Sequence, residues 1–180
     1  IPSSGAPRSM AKSDSFFIRA TCDVGMTNNY AQIPIDLGAY VDALGKSVLR
    51  IHNIAVTFSD GDGTSPELDG SDAAGAAQFQ LVTQSQTATV LPSDKSVIAS
   101  GMLNAARVNS GNGVADSTSE AFDNLPQLWT NGYLVAVDTM YLGGQATTSW
   151  YENVSVTIVC ECTVETMSQA AAMALALSQQ

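Results

Sequence analysis

Apolar and polar residues alternate with a period of two along several short segments, which is the pattern of β-strands with one buried face. Residues 47–59 (SVLRIHNIAVTFS) carry apolar side chains on both faces, so we expect this strand at the centre of a sheet. Pro34 favours an edge position for the strand that contains it. Further strands are predicted at residues 15–23, 30–37, 77–84, 87–91, 132–142 and 147–165.

The segments between these strands are rich in Gly, Ser and Asp. Residues 59–75 and 108–119 predict polar loops, Gly143 and Gly144 a turn, and residues 96–107 a short helix. Residues 120–130 look irregular, with Leu125, Leu128 and Trp129 as expected core anchors. Seven or eight strands without strand–helix–strand alternation predict an all-β fold, an antiparallel β-sandwich most consistent with a jelly roll.

The two ends of the chain differ from the middle. Residues 1–14 lack hydrophobic periodicity and predict a flexible or extended arm, whereas residues 15–165 form the predicted sandwich. Residues 166–180 (TMSQAAAMALALSQQ) are rich in strong helix formers. A helix of this length is marginal by itself in water. We therefore expect it to pack against the domain or against a neighbouring chain.

The composition of the chain argues against several classes of function. Only 13% of the 180 residues are charged, about half of the roughly 25% in an ordinary soluble domain. Seventeen acids against seven bases give a net charge of −10, which argues against a nucleic-acid binder or a polybasic membrane-surface protein. The apolar stretch 167–177 is too short to span a bilayer. Low charge on a folding chain indicates surface that is buried against neighbours.

The charges are distributed unevenly along the chain. All seven basic residues lie within the first 107 positions, and residues 108–180 carry seven acids with no Lys or Arg. Arg8 and Lys12 lie in the predicted arm. Opposite charges on two copies would attract each other and help to set their register. We expect the arm to contact the acidic half of a neighbouring subunit, the alternative being an arm that is merely soluble.

No sequence motif for catalysis stands out. The lone histidine, His52, lies in the middle of a predicted strand, no G-x-S-x-G surrounds a serine, and there is no phosphate-binding or H-E-x-x-H motif. We therefore expect no enzyme. Cys160 and Cys162 share one face of a strand, and Cys22 is expected either to pair with one of them or to be a third small buried side chain. Asn153-Val-Ser155 matches the N-glycosylation sequon.

One loop has the composition of a metal site. Five carboxylates fall within thirteen residues, and glycines at 61, 63 and 70 let the backbone wrap. Calcium takes six to eight oxygen ligands, so such a loop can supply a Ca²⁺ site, although the EF-hand pattern is not met. The alternative is a solvated loop at the tip of the sandwich. The candidate ligands are Asp60, Asp62, Glu67, Asp69 and Asp72.

The runs SFFIRATCDVG and YAQIPIDLGAYVDALGKSVLRIHNIAVTFSD, with the arm and the alanine-rich tail, resemble the single jelly-roll coat proteins of small icosahedral or archaeal-type viruses. The resemblance covers mostly residues 15–165 and implies a shell of many copies. Coat proteins that package naked genomes often carry many basic residues in their arm. This arm has only Arg8 and Lys12, which implies that another component contacts the genome, or that the shell surrounds a membrane or protein layer.

Two functions remain open at this point. The first is a structural shell subunit in a virion, with copies of itself and other shell proteins as partners and no direct nucleic-acid binding. Its expected interface residues are Arg8, Lys12, Met167, Met173, Leu175 and Leu177. The second is a secreted or cell-surface binding module that recognises carbohydrate, with Ca²⁺ in the acidic loop. Its stacking platforms would be Trp129, Tyr133, Trp150 or Tyr151, although these aromatics are more often core.

Overall fold

The regular secondary structure of the described residues consists almost entirely of β-strands. The computed structural model describes residues 13–42, 46–107, 113–115 and 117–180. Its strands are β1 (Phe16–Gly25), β2 (Ala31–Asp36), β3 (Ser47–Ser59), β4 (Glu67–Leu68), β5 (Ala74–Val82), β6 (Val97–Ala106), β7 (Gly113–Val114), β8 (Ser117–Asn124), β9 (Tyr133–Val135), β10 (Thr139–Ala146) and β11 (Val154–Thr166). A 3-10 turn spans Pro126–Leu128, and helix α1 spans Gln169–Ser178.

The strands form two antiparallel sheets that pack face to face. One has the order β1-β11-β3-β9 and the other β2-β10-β5-β6-β8, while β4 and β7 form a small separate pair. Strand β3 lies inside its sheet between β11 and β9, as predicted, and β2 with its Pro34 lies at an edge. The predicted antiparallel β-sandwich is confirmed.

The strand order is that of a jelly roll. If β4, β7 and β8 are set aside, eight strands remain, and they pair first with last, second with seventh, third with sixth, and fourth with fifth. The pairs are β1 with β11, β2 with β10, β3 with β9, and β5 with β6, all antiparallel. This nesting is a long hairpin rolled into two sheets, the double Greek key of jelly rolls.

The core lies between the inner faces of the two sheets, where alternate residues of each strand point inwards. In β11, Val156, Ile158 and Cys160 are fully buried and face inwards, as their alternation predicts. Three phenylalanines link the sheets, because Phe58 of β3 contacts Phe79 of β5 and Phe122 of β8 at ring-centroid distances of 6.3 Å. This packing fixes the separation and register of the two sheets.

The structure corrects several local predictions. The segment 96–107 contains strand β6 rather than a helix, because pairing with β5 and β8 overrides the helix propensity of its Ala, Met and Leu residues. Residues 87–91 are not a strand; they belong to a loop that lies across the outer face of the five-stranded sheet. Gln80 of β5 holds this loop by accepting a bond from the backbone N–H of Val90 (2.9 Å) and donating to the carbonyl of Ala88 (3.2 Å).

The late strands also differ from prediction. The run 132–142 divides into β9 and β10, and Gly143 and Gly144 lie inside β10 instead of forming a turn. β11 begins at Val154, so the predicted strand 147–165 starts too early. Leu125 is buried as expected, but Leu128 and Trp129 are not core anchors.

Candidate assembly surfaces

Helix α1 packs on the outer face of the four-stranded sheet. The side chain of Ser168 caps its N-terminus by accepting a hydrogen bond from the backbone N–H of Ala171 (3.2 Å). Ala172 is buried against Val48 of β3 and against Ala136. The helix begins directly after β11, so the tail predicted at residues 166–180 folds back on its own domain.

Gln179 fastens the end of this helix to an edge strand. Its side-chain oxygen accepts from the backbone N–H of Ala136 (2.9 Å), and its side-chain nitrogen donates to the carbonyl of Leu134 (2.6 Å). These are the main-chain groups that a further strand beside β9 would use. The carbonyl of Gln179 also accepts from the hydroxyl of Thr83 (2.7 Å), which follows β5 in the other sheet. The tail is thereby bound to both sheets.

The structure divides the four predicted interface residues of the tail into two pairs. Met167 and Leu175 are half-buried and pack against the patch that contains Val48. Met173 and Leu177 are exposed and point away from the domain. Only the second pair is therefore free to meet another molecule. The other two predicted interface residues, Arg8 and Lys12, lie outside the described residues.

A second exposed apolar pair follows strand β8. The side chain of Gln127 accepts from the backbone N–H of Ile54 and donates to its carbonyl, both at 3.0 Å, and so covers the edge of β3 beyond the end of β9. This bond pair fixes the 3-10 turn against the sheet. Leu128 and Trp129 follow directly, with 55% and 53% of their surfaces exposed. The turn thus presents two large apolar side chains to solvent.

Several of the basic side chains in the described residues serve the fold itself. Arg50 forms a two-pronged ion pair with the buried Glu165, through Nε at 2.6 Å and Nη2 at 2.9 Å. Arg107 is buried and donates to the main-chain carbonyls of Leu68, Asp69 and Asp72. Of the basic residues described, the exposed ones are Arg19, Lys46 and Lys95. Three exposed cations in the described residues are few for a protein that binds a phosphate backbone.

The acidic loop is organised by its own hydrogen bonds. The carboxylate of Asp60 accepts from the backbone N–H groups of Asp62 and Thr64, both at 2.9 Å, and from the hydroxyl of Thr64. These bonds to Thr64 hold the pKa of Asp60 below its ordinary value. Asp60, Asp62 and Glu67 line a small cavity together with Tyr151. Within the described residues, no group of three His, Cys, Asp or Glu side chains is placed to hold a metal ion.

The calcium site at Asp60, Asp62, Glu67, Asp69 and Asp72 stays a prediction, and metal titration tests it. If the loop closes on Ca²⁺, a concentration about 100 times Kd should stabilise the fold by about 2.7 kcal/mol. For a chain of this length that raises the Tm by about 5–10 °C. The measurement is thermal unfolding in Ca²⁺ against EDTA, with Mg²⁺ as the control ion. Equal Tm values in all three conditions would contradict the calcium site.

Cys22, Cys160 and Cys162 are all buried and unbridged. In the β1–β11 register Cys22 lies opposite Val156, whereas Cys160 lies opposite Ile18. A four-residue offset along a strand is about 13 Å, beyond the reach of a disulfide. The cross-strand bridge considered from the sequence is therefore wrong. Burial raises the pKa of Cys22 to about 11 and of Cys162 to about 12, so these thiols react poorly.

The remaining candidates from the sequence lie apart from one another. His52 is half-buried, with its Nε2 2.9 Å from the hydroxyl of Thr163 across the sheet. Asn153 of the sequon is exposed before β11 and donates to the carboxylate of Asp23 at 3.2 Å. Among the four aromatic platforms, Trp150 is fully buried and Tyr133 is half-buried, whereas Trp129 and Tyr151 are exposed. Tyr151 is the exception, because it lines the same cavity as Asp60, Asp62 and Glu67.

Comparison with known proteins gives structural neighbours only. No family model and no curated protein sequence matches the chain. A chain in the solved structure of Desmodium yellow mottle tymovirus is similar over 92% of this chain and 93% of its own length, with a TM-score of 0.39 and 11% identity. The unassembled VP1 pentamer of KI polyomavirus is similar over 84% and 93%, with a TM-score of 0.47 and 7% identity.

VP1 of Merkel cell polyomavirus, solved in complex with disialyllactose, is similar over 87% of this chain and 97% of its own, with a TM-score of 0.46 and 6% identity. These neighbours are viral capsid proteins, the class that the sequence resembles. Similarity at this level concerns the course of the chain and carries nothing about what this protein binds.

Proposed function

We propose that this protein is a structural subunit that assembles with copies of itself into a closed shell, and that the shell is a viral capsid. The observation that carries the proposal is the placement of exposed apolar pairs on separate elements. Leu128 and Trp129 follow β8, whereas Met173 and Leu177 lie on α1. Exposed apolar side chains in close sets mark interaction surfaces. A shell subunit needs several such surfaces, whereas a binding module needs one.

The charge distribution supports the same function. A chain of net charge −10 with few exposed cations in its described part does not attract nucleic acid. Its partners are therefore other protein subunits, and a genome would be contacted by a different component. In this proposal the protein is located in the virion. A secreted or surface binding module remains the second candidate. It is favoured by the exposure of Trp129 and Tyr151, and by a cavity that Tyr151 lines together with Asp60 and Glu67.

The assembly state of the full chain tests the proposed function directly. We expect light scattering and native mass measurement to show a large species of uniform mass, and negative-stain electron microscopy to show closed particles. The same preparation should bind no glycan on an array. A monomer at every protein concentration, pH and salt condition would overturn the proposal. A monomer that also binds a glycan would establish the second candidate.

The arm provides a prediction about how the shell is held together. Arg8→Glu with Lys12→Glu should raise the protein concentration needed for assembly, because the arm would then repel the acidic half of a neighbour. This increase in the concentration needed for assembly should be smaller in high salt, which screens exposed charges. Concentration-dependent light scattering measures it.

The matched control for the arm variant is Lys46→Glu with Lys95→Glu. It changes the net charge by the same amount at two exposed sites of the sandwich. If both double variants assemble as the unmodified chain does, the arm makes no electrostatic contact. An equal defect in both would assign the effect to net charge alone.

A further inference from the structure

Helix α1 is apolar on all sides, but its own domain covers only one of them. At 100° per residue, Ala172, Leu175 and Ala176 lie on one side and pack on the sheet. The opposite side carries Ala170, Met173, Ala174 and Leu177, all exposed. A helix with apolar residues on every side is normally buried by protein on every side. Ten residues rise only about 15 Å, and no helix within the described ranges is long and apolar enough to cross a membrane.

We propose that the outward face of α1, defined as Ala170, Met173, Ala174 and Leu177, packs against the same face of a second copy across a two-fold axis. This inference rests on the proposed function and names one of its contacts. The partner is argued first from charge. Residues 166–180 contain no Asp, Glu, Lys or Arg, while the chain as a whole carries −10. Two copies that meet through α1 bring no like-charged side chains of the tail together.

The shape of this face fits a copy of itself. Met173 and Leu177 are four residues apart and form a ridge, and Ala170 and Ala174 form a shallow groove beside it. Ridges of residues spaced by four fit into the matching grooves of another helix. In a two-fold pair the ridge of each copy meets the groove of the other, which is the self-complementarity that such an interface requires.

The size of the face indicates when the pair forms. A helix about 15 Å long buries a few hundred Å² in such a contact, well below the roughly 1,600 Å² of a typical stable complex. The helix pair is therefore one contact among several and needs the high local concentration of an assembly. The isolated tail is not expected to dimerise, so the test uses the full chain.

Cysteine cross-linking tests the pair in the assembled protein. Residue 174 lies near the middle of the outward face, so an antiparallel two-fold pair places both copies of it close to the axis. Under mild oxidation, Ala174→Cys should give a covalent dimer on a non-reducing gel. Ser65→Cys, exposed in the acidic loop, is the control for random collision. The native cysteines are buried and should leave the unmodified chain uncross-linked.

Substitutions on the same face test its apolar character. Adding Met173→Glu and Leu177→Glu to Ala174→Cys should lower cross-linking about tenfold or more, because charges would be buried in the contact. The corresponding Lys variants should do the same, which separates loss of apolar contact from the sign of the charge. Leu91→Glu with Met102→Glu is the matched control, since Leu91 and Met102 are 75% and 46% exposed against 69% and 46% for Leu177 and Met173. It should leave cross-linking unchanged.

The outcomes separate this inference from the proposed function. Efficient cross-linking through residue 174 that is lost in both the Glu and the Lys variants supports the helix pair. If particles form but Ala174→Cys cross-links no better than Ser65→Cys, the helix pair is overturned. The shell proposal is then unaffected. Cross-linking that survives Met173→Glu with Leu177→Glu also overturns it. A cross-linked dimer without particles would keep the helix pair, contradict the shell, and show that the pair does not need an assembly in order to form.

Discussion

Replacing Arg50 with Met should lower the free energy of unfolding by about 3–5 kcal/mol, because it removes the guanidinium that binds both oxygens of the buried Glu165 carboxylate. Glu165 is 1% exposed, and both of its oxygens accept bonds from Arg50. The guanidinium also donates to the carbonyl of Asn131, which links β3 to the start of β9. Urea unfolding of the monomeric chain measures the loss.

The control for this prediction is the double variant Arg50→Met with Glu165→Leu. Replacing both members of a buried ion pair by apolar groups of similar size is often close to neutral. The double variant should therefore recover most of the lost stability. If Arg50→Met alone costs less than about 1 kcal/mol, the ion pair is solvated like a surface salt bridge and is not buried.

This ion pair also stabilises the part of the sheet on which helix α1 packs. Glu165 lies opposite Val48 in the β3–β11 register, and Val48 is the residue on which Ala172 packs. Loss of Arg50 should consequently loosen α1 as well as the sheet. Hydrogen exchange in residues 169–178 should rise in Arg50→Met and return in the double variant.

Replacing Gly144 with Ala should destabilise the sandwich by about 3 kcal/mol or more, the upper range for overpacking. A Cβ at position 144 would lie 2.0 Å from the carbonyl oxygen of Gln78 and 3.1 Å from Cα of Phe79. Both atoms belong to the backbone of β5, so they cannot move aside without disturbing the sheet. Thermal unfolding and the yield of soluble protein measure the effect.

The matched control is Gly61→Ala in the acidic loop. A Cβ at position 61 meets no atom within 4 Å, so this variant should keep the Tm of the unmodified chain. Together the two variants distinguish a close approach between strands from a general cost of losing glycine. Equal Tm values for the two would contradict the placement of Gly144 inside the β5–β10 pair.

The sequence pattern predicted the correct element where that pattern is compatible with one structure only. The alternation in residues 47–59 predicted a central strand, and β3 has the same bounds and a neighbour on each side. It failed where a residue type has two meanings. Glycine marks both turns and close contacts between strands, so the pattern around Gly143 and Gly144 predicts a turn where the structure has a close contact. Residues 96–107 have helix propensity, but pairing with two strands decides their conformation.

The sequence by itself determined the sandwich and the tail helix, because alternation and helix propensity are local properties of the chain. It also determined that the tail is free of charge. It could not determine which side of the helix faces out, since apolar residues occupy every side and no periodicity remains to read. Only the tertiary structure decided this, through Ala172 on Val48 and through Gln179 on the edge of β9. Those contacts leave Met173 and Leu177 for another molecule.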